Sequence, residues 1–432
     1  MPGGEGTRED PVGREAPTGT GRAPLRRDPD FRRYWLARQV SVTGSLVTAV
    51  AMPVLVYRIS GSPGLTALTS TLEALPYLVF GLFAGALSDR LDRRRVMVSA
   101  DVVNAVVLLS VPAAWWLGVL TVAQALVVGF VSQAVFAFFD GANFGALPLL
   151  VGRDRVGEAN AAIWGFGGIL DLGVPMAVGA LLAVLHPADL LLIDAVSYAG
   201  SAALVVAITR PLSLRGRTPP PFHPAAVLGE VREGLAWLWH HPGVRGQTII
   251  GTLQSLGGAG FMALSVPFAD RLLRIGTSGW RFGLLLSVWG IGGMLAAGLT
   301  PWLLRRMTTL RVTLVAIPVS AAAGVCVVLQ SRWWVATLLM VVWGVAYQLV
   351  LMNSISYRQQ VTPDELQGRV NTAGRVLSWG VGWSVGATLA GLVATWAGLR
   401  PALVGVVSVG VLAALYAWLS PLPRLAVVPA AE

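Results

Sequence analysis

The sequence predicts an all-α membrane protein with twelve transmembrane helices in two pseudo-symmetric six-helix bundles. Three observations lead to this fold class. The chain of 432 residues is 55% hydrophobic and 12% charged, whereas soluble domains contain about 25% charged residues. Its apolar residues form twelve runs of membrane-spanning length, and its arginines concentrate in alternate connections between them. The two halves of the chain also share short sequence features, which recur after a nearly constant number of residues.

The apolar runs approach the length of about 20 residues that a transmembrane helix requires. The first half of the chain contains six of them, at 34–57, 65–88, 96–117, 119–137, 159–185 and 190–208. The second half contains six more, at 248–268, 279–304, 312–329, 333–355, 372–396 and 401–419. Proline inside several runs is compatible with a membrane helix, because neighbouring helices satisfy the backbone groups that it frees.

The arginines predict the orientation of the chain, because membrane proteins retain basic residues on the cytoplasmic side. With the N-terminus in the cytoplasm, 24 of the 32 arginines fall on that side and six on the outer side. We expect a multi-pass protein of the cell (inner) membrane with both termini cytoplasmic. Its parts are a disordered tail at 1–30, helical bundles at 31–209 and 247–420, a cytoplasmic connector at 210–246 and a cytoplasmic tail at 421–432.

The connector is predicted to contain an amphipathic helix. Its apolar residues recur at helical spacing, opposite a charged face, and are Leu228, Val231, Leu235 and Leu238. Such a helix is expected to lie on the inner leaflet, with Trp237 and Trp239 at the level of the lipid headgroups. The alternative is a soluble linker helix.

Residue types that the chain lacks or rarely uses exclude several classes of function. It contains no lysine, so it has neither a Walker A loop nor lysine Schiff-base chemistry. Cys326 is the single cysteine, and the four histidines lack the spacing of metal ligands. The arginines are dispersed among short loops, which argues against nucleic-acid binding. We expect no cofactor, no metal site, no enzymatic activity and a monomeric chain.

Two markers recur in the halves at nearly the same interval. Gly85, at the end of the second run, corresponds to Gly298, 213 residues later, and arginines follow both. Asp154, before the fifth run, corresponds to Asp364, 210 residues later. The common offset indicates an internal duplication, which is frequent in transporters.

The connection after the second run carries the pattern G-x-x-x-D-R-x-x-R-R, formed by Gly85, Asp89, Arg90, Arg93 and Arg94. Together with two six-span halves and a long central connector, this motif resembles the major facilitator superfamily. Three further stretches, at 30–38, 233–242 and 358–370, resemble the branch that contains macrolide-efflux and enterobactin-export proteins. The resemblance covers about residues 30 to 421.

The resemblance implies a secondary active transporter that works by alternating access. It implies proton-coupled efflux of a bulky amphipathic small molecule, such as a drug, a macrolide-like compound or a secondary metabolite. A siderophore exporter or an uptake permease of the same fold is one alternative, and a transport-inactive receptor or scaffold is another. The arginine-bearing motif of the fourth span is absent, and the antiporter motif of the fifth survives as Gly173, Pro175 and Gly179.

The loop motif is expected to act as a conformational gate. Gly85 permits close approach of two helices, and Asp89 can accept hydrogen bonds from amides at the start of the eleventh span, near Arg369 and Asn371. The arginines of the motif are expected to pair with acids across the seam between the halves or with membrane phospholipids. The alternative is that these arginines set topology alone.

Ionisable side chains within spans cost about 2.5–3.5 kcal/mol each on insertion and indicate functional sites. The candidates for proton or cation coupling are Glu73, Asp171, Asp140 and Arg38. A carboxyl group in a low-dielectric cavity favours its neutral form and can exchange a proton near neutral pH. The alternatives are a structural pair of Asp171 with Arg38 or with another helix, and a helix-end position for Asp140. Asp101 and Asp194 are expected to support loop contacts.

Polar and aromatic residues within the spans are candidates for the lining of a central substrate cavity. They are Gln124, Gln133, Trp164, Gln254, Tyr347 and Asn353. Polar side chains of this kind also join helices through interhelical hydrogen bonds, which is the alternative for each of them.

Overall fold

The computed structural model describes residues 24–88, 90–213 and 224–426, which are predominantly helical. The first half of the chain forms α1 (Pro29–Ser60), α2 (Pro63–Ser88), α3 (Arg93–Trp116), α4 (Val122–Val151), α5 (Val156–Leu181) and α6 (Pro187–Val206). The connector contributes α7 (Pro224–His240), so a helix lies where the apolar spacing predicted one. Short 3-10 helices precede α1 and α5, at Leu25–Arg27 and Arg153–Arg155.

The second half is less regular. Its helices are α8 (Pro242–Ala263), α9 (Ser265–Pro267), α10 (Trp280–Leu304), α11 (Thr309–Leu329), α12 (Trp333–Val361), α13 (Gln367–Arg375), α14 (Gly382–Trp396), α15 (Leu399–Leu419) and α16 (Leu422–Leu425). A π-helical segment, Phe268–Leu272, continues α9, and another, Val376–Val381, joins α13 to α14. Such π-helical turns frequently mark functional sites.

Ten of the described helical stretches are long and apolar enough to cross a bilayer. The bent pair of α8 with its continuation through α9, at 55°, is a further candidate. α2 has 26 residues, although its side chains at 81–83 and 85–88 lie outside the described part of the chain. The predicted all-helical membrane protein is therefore confirmed.

Two predicted boundaries are wrong. α4 continues to Val151 rather than ending at 137, because the residues that follow remain largely apolar. The other wrong boundary is the start of the first bundle at residue 31, because the folded part of the chain includes residues before it. Leu25 is buried, and Asp28 caps α1 by accepting hydrogen bonds from the backbone amides of Asp30 and Phe31. Residues 24–30 are therefore part of the fold, and 1–23 lie outside the described residues.

The connector helix α7 packs on the second half. Leu238 is buried in a small apolar cluster with residues of α8 and α13, and Arg369 of α13 donates to Glu233 of α7 at 2.6 Å. Trp237 packs against the same cluster, whereas Trp239 is exposed. The prediction that both tryptophans lie at the level of the lipid headgroups stays a prediction.

The two halves meet where α2 packs on α14 and α5 packs on α10. A β-carbon on Gly283 of α10 would lie 2.7 Å from the carbonyl oxygen of Met176 in α5. One on Gly168 would lie 3.8 Å from a side chain of α10, and one on Gly165 would meet nothing within 4 Å. Gly165 lies three turns before Met176 on the same face of α5. We call the end of the seam that holds Gly61 the Gly61 end, and the opposite end, near the connector, the connector end. α5 and α10 are in close contact at the Gly61 end and lie farther apart at the connector end.

Candidate functional site

A stripe of residues on α4 faces α2. Gly129, Gln133, Asp140 and Phe144 follow at intervals of four, seven and four residues, which places them on one face of the helix. A β-carbon on Gly129 would lie 3.9 Å from Cγ of Glu73, so the Glu73 carboxyl group of α2 is directed toward α4. Among the described residues it has no charged partner. Glu73 is thus a half-buried carboxyl group held between two helices.

Arg38 of α1 lies beside Asp140. Its guanidinium carbon is 5.5 Å from the centroid of the Phe139 ring, and its charge interacts with the Asp140 carboxyl group. Asp140 interacts with Arg375 of α13 as well. The residue lies about three turns before the end of α4 at Val151. The helix-end position that the sequence allowed for Asp140 is therefore wrong.

Arg375, the last residue of α13, reaches across the seam into the first half. Its Nη2 donates a hydrogen bond to the hydroxyl oxygen of Tyr77 in α2. Its guanidinium carbon lies 5.4 Å from the centroid of the Tyr77 ring and 5.8 Å from that of Phe144, within the range of a cation–π interaction. These side chains form the seam cluster, which consists of Arg38, Glu73, Tyr77, Asp140, Phe144 and Arg375.

The seam cluster is balanced in charge. Arg38 and Arg375 supply two positive charges, and Glu73 and Asp140 supply two negative charges when both are ionised. Because guanidinium groups stay protonated, a proton can enter or leave the cluster through its carboxyl groups. One proton therefore changes the net charge of the cluster between zero and positive.

A second set of contacts joins the halves at the Gly61 end. The Tyr57 hydroxyl of α1 donates to Oδ2 of Asp270 at 2.8 Å, and Nε of Arg271 donates to the Tyr57 oxygen at 2.9 Å. Nη2 of Arg271 donates to the carbonyl oxygen of Gly61 at 2.6 Å. Asp270 and Arg271 lie in the π-helical segment that follows α9. We call Tyr57, Asp270 and Arg271 the latch, because they hold this end of the seam together.

The loop motif lies at the connector end, and Asp89 is outside the described residues. Nη1 of Arg93 donates to the carbonyl oxygen of Gly145 in α4 at 3.1 Å. Nη2 of Arg94 donates to the carbonyl oxygen of Arg210 at 2.7 Å. These two contacts lie within the first half and the connector. The predicted pairing of the motif arginines with acids across the seam or with phospholipids stays a prediction.

The predicted partners of the motif hold the beginning of α13 in place. Arg369 is bonded to Glu233 of α7. Oδ1 of Asn371 accepts a hydrogen bond from Nε of Arg358 in α12 at 2.9 Å, and Arg358 is 5% exposed. Both residues thus connect α13 to neighbouring helices.

Four of the predicted cavity-lining residues are buried in or between helices, or donate hydrogen bonds there. Gln124 donates to the carbonyl oxygen of Ser110 in α3 at 3.1 Å, and Gln254 donates to that of Tyr347 in α12 at 3.0 Å. Tyr347 and Asn353 are buried, and Asn353 donates to a carbonyl oxygen of its own helix at 2.7 Å. Oε1 of Gln254 and Oδ1 of Asn353 are buried without a hydrogen-bond partner among the described residues. These side chains thus contact helices in this conformation, and their place in a substrate cavity stays a prediction.

The other predicted residues fall into different surroundings. Gln133 belongs to the α4 stripe, whereas Trp164 of α5 is 69% exposed. The side chain of Asp171 is exposed, while its carbonyl packs on Gly290 of α10. Among the described contacts Asp171 forms no pair with Arg38, which lies beside Asp140 instead. The possible pair of Asp171 with Arg38 is therefore wrong.

Comparison with known proteins assigns a family to this arrangement. A family profile described as a transmembrane secretion effector matches residues 19–430, nearly the whole chain. The chain belongs to this family of the major facilitator superfamily. The predicted superfamily is therefore confirmed, and the chain is an efflux-type transporter.

The relatives of this transporter are efflux proteins. The multidrug efflux pump Tap of Mycolicibacterium fortuitum is 28% identical over 373 residues, or 83% of this chain and 87% of that protein. Macrolide efflux protein A of Streptococcus pyogenes is 28% identical over 228 residues, or 52% of this chain and 54% of that protein. The enterobactin exporter EntS of Citrobacter koseri is 26% identical over 385 residues, or 85% and 86%. The predicted branch is confirmed.

The fold also matches that of solved transporters. A bacterial homologue of the human lysosomal transporter Spinster, in an inward-facing and unoccupied conformation, aligns with a TM-score of 0.71 and 15% identity. The alignment covers 95% of this chain and all of that one. The relatives and this structure are transporters rather than enzymes, as the sequence predicted.

Several candidate residues of the transporter were missed by sequence reasoning. Asp270 and Arg271 of the latch are adjacent charges between apolar residues, and Arg375 is a single arginine inside an apolar run. Charges in such positions are signals of function, but nothing in the sequence pairs Arg271 with Tyr57 across the seam. Their contacts depend on the arrangement of the two halves.

Asp101 and Asp194 also differ from the prediction. Each is 1% exposed, in the interior of the first half. Both lie about two turns inside α3 and α6, which is too deep for the loop contacts that the sequence predicted. Both side chains lie among neighbouring helices and not beside a loop between helices.

Proposed function

We propose that this transporter is a proton-coupled exporter of bulky amphipathic small molecules, such as drugs or secondary metabolites. It acts as a monomer in the cell (inner) membrane, with both termini and the 210–246 connector in the cytoplasm. Its twelve spans form one six-helix bundle in each half of the chain, and the two bundles rock against each other. The names of the multidrug, macrolide and enterobactin exporters among its relatives support this class of cargo.

The observation that carries the proposal is the position of the seam cluster. Arg375 comes from the second half, whereas Tyr77 and Asp140 come from the first. Movement of one half relative to the other therefore changes these contacts. Glu73 lies on the same α2 face as Tyr77, one turn away. The protonation of a carboxyl group in the cluster and the arrangement of the halves then depend on each other.

We assign the present conformation to the inward-open state. The latch closes the Gly61 end, and α5 separates from α10 toward the connector end. With the connector in the cytoplasm, cargo enters the seam from the cytoplasmic side. Opening of the latch and closure of the connector end then expose the same site to the outside.

The charge balance of the seam cluster suggests how a proton drives release. With Glu73 ionised, the site carries no net charge and accepts a neutral or cationic amphipathic molecule. Protonation of Glu73 from the outside leaves Arg38 and Arg375 in excess over Asp140. The resulting positive charge disfavours a cationic cargo and promotes its release. Return to the inward-open state releases the proton into the cytoplasm.

The loop motif has a role in the opposite state. In our proposal Asp89 accepts hydrogen bonds from the first amides of α13 when the connector end closes. Arg369 and Asn371 keep the beginning of α13 in position through Glu233 and Arg358. Arg93 and Arg94 order the loop from which Asp89 acts.

Inverted membrane vesicles test the proposal. Fluorescent amphipathic cations and labelled macrolides are added to vesicles with an acidic interior, and accumulation is measured with and without a protonophore. We expect accumulation that depends on the proton gradient and is lost in Glu73→Gln. Transport in the opposite direction would indicate an uptake permease, and binding without transport would indicate a receptor. Either result would overturn the proposal.

A further inference from the structure

The interior of the first half holds two buried acids. Asp101 and Asp194 are each 1% exposed, and Arg38 is the arginine whose charge reaches Asp101. An ionised carboxyl group is costly in a low-dielectric interior unless it is paired or hydrogen-bonded. Each of these two acids is therefore either stabilised as a carboxylate by its neighbours or holds a proton.

Asp194 has surroundings that suit its ionised form. Oγ1 of Thr48 in α1 donates to Oδ2 of Asp194 at 2.5 Å. Oγ of Ser197 lies 3.1 Å from Oδ1 and 2.8 Å from the Asp194 carbonyl oxygen, and it shares its one proton between these two acceptors. Hydrogen bonds donated to a carboxylate favour its charged form. Asp194 is therefore a poorer proton acceptor than Asp101.

Asp101 has the opposite surroundings. Neither of its carboxylate oxygens has a hydrogen-bond partner among the described residues. Ser201 of α6 faces Asp101, yet no bond of normal geometry connects them, and the Ser201 hydroxyl and both amide atoms of Asn104 are also buried and unpartnered. An unpartnered buried carboxylate is costly, whereas the protonated acid can donate a hydrogen bond to a hydroxyl oxygen.

Arg38 connects this buried site to the seam cluster. It interacts with Asp101 of α3 and with Asp140 of α4, and its Nη1 is buried without a hydrogen-bond partner among the described residues. The other ionisable groups near Asp101 are Asp194 and Tyr198 of α6. Among the described residues, no group of three or more His, Cys, Asp or Glu side chains could hold a metal ion, which leaves the proton as the ligand.

We propose that Asp101 is a second proton-binding residue, buried inside the first half, and that Arg38 links its charge to Asp140 of the seam cluster. A proton from water adds to one carboxylate oxygen of Asp101 and leaves from the same oxygen. When Asp101 is neutral, the charge of Arg38 acts mainly on Asp140, and when Asp101 is ionised, the two acids share it. The role in the cycle rests on the proposed proton coupling, whereas the binding of the proton does not.

Infrared difference spectroscopy tests this binding on the purified full-length protein in lipid, without cargo or gradient. The C=O stretch of protonated carboxyl groups is followed as the pH is raised. In Glu73→Gln the signal of Glu73 is absent, and the remaining signal is expected from Asp101. Glu73→Gln/Asp101→Asn is expected to lose it, and the equally buried control Glu73→Gln/Asp194→Asn is expected to keep it. Should the Asn variant not fold, Asp101→Glu is expected to retain a signal at a shifted frequency.

Arg38 provides a second readout. Arg38→Gln removes a charge that favours the ionised carboxylate, so the protonated form is expected to persist to higher pH. Arg38→Lys keeps the charge and is expected to restore the wild-type titration. A signal that persists without Asp101, or that follows sodium concentration instead of pH, would overturn the assignment. If the wild-type protein shows no proton-coupled efflux in vesicles but keeps the infrared signal of Asp101, the proposed function is refuted and the proton site at Asp101 remains supported.

Discussion

At the scale of single residues, two arginines supply the positive charge of the seam cluster. Arg38 lies within the first half beside Asp140, whereas Arg375 enters from the second half and contacts Tyr77 and Phe144. Neither guanidinium group loses its proton at physiological pH. The arginines therefore supply a fixed charge, and one of the two moves with the second half.

Replacement of Arg375 tests the contact across the seam. Arg375→Gln removes a charge, a hydrogen bond and two ring contacts, and such interactions contribute about 1–3 kcal/mol when partly desolvated. We expect the efflux rate in proteoliposomes to fall roughly tenfold, the factor that corresponds to about 1.4 kcal/mol. Arg375→Lys keeps the charge and is expected to recover part of the rate. Efflux at the wild-type rate in Arg375→Gln would show that the contact has no part in transport.

Residues with charge were easier to predict than residues with neutral polar groups. Arg38, Glu73 and Asp140 are conspicuous because an ionisable group in an apolar run is costly. The roles of Gln254 and Tyr347 were harder to predict, because lining a cavity or joining helices depends on the rotation of each helix about its axis. In a membrane protein, lipid and packed protein are both apolar, so the sequence pattern does not report that rotation.

At the scale of helices, glycine sets how closely α5 and α10 approach at the Gly61 end. Gly283→Ala would place a β-carbon 2.7 Å from the carbonyl oxygen of Met176, and overpacking of this kind costs about 1–3 kcal/mol. We expect the Gly61 end to open more often. Thr71→Cys, at the seam between α2 and α14, should then react faster with a membrane-impermeant thiol reagent applied outside cells.

The chain offers a matched control for this experiment. A β-carbon on Gly173 of α5 would meet nothing within 4 Å, so Gly173→Ala should leave the labelling rate unchanged. Cys326 is the single native cysteine and is exposed, so all variants carry Cys326→Ser. Equal labelling in Gly283→Ala and Gly173→Ala would contradict the role given to this contact.

The docking of α7 is expected to depend on pH through His241. Nδ1 of His241 accepts a hydrogen bond from the Val244 amide at 3.2 Å, and its ring stacks on Trp237. Burial lowers the pKa of His241 below its ordinary value of 6.5. Because the undocked state binds a proton more readily, docking is stable above pH 6.5 and weakens as the pH falls below it. Hydrogen exchange of α7 amides, measured above and below this pH, checks the prediction.

A single variant separates the titration of His241 from its capping role. Asparagine is a good N-cap residue and does not titrate, so His241→Asn should keep α7 docked at both pH values. The same loss of protection at low pH in wild type and His241→Asn would exclude His241 as the cause.

Helices were predicted more reliably than their irregularities. Long apolar runs give the positions of helices because a bilayer requires about 20 such residues. The extension of α4 beyond 137 was missed because Asp140 resembles a helix end in sequence, whereas Arg38 and Arg375 accompany it in the structure. The π-helical segments were missed because packing against other helices, rather than local composition, places them.

At the scale of the whole molecule, the latch determines which end of the seam is closed. Loss of a charged hydrogen bond costs about 1.5–3 kcal/mol, so Arg271→Gln should favour the state that is open at the Gly61 end. We expect faster labelling of Thr71→Cys from outside cells. Arg332→Gln removes another arginine of the same end, at the N-cap of α12, and serves as the control. Labelling that rises equally in both variants would contradict the latch.

The fold of the molecule could be predicted from its sequence, but its conformational state could not. Composition, arginine placement and the recurrence of Gly85 at Gly298 predict a duplicated helical membrane protein, and the resemblance of the motif that begins at Gly85 indicates the superfamily. An alternating-access transporter must form both of its states with one sequence, so the sequence favours neither strongly. The latch at Tyr57 and the separation of α5 from α10 therefore became visible in the structure alone.

The central claim is that cargo and protons exchange through the seam cluster. Proteoliposomes that contain the purified transporter and a pH-sensitive dye in the lumen test it, with a transported amphipathic cation added outside and no imposed gradient. We predict that cargo entry drives protons out and raises the luminal pH. Glu73→Gln should abolish this proton movement, and Asp171→Asn, whose side chain lies outside the seam cluster, should retain it. Cargo entry without any change of luminal pH in the wild type would contradict the account.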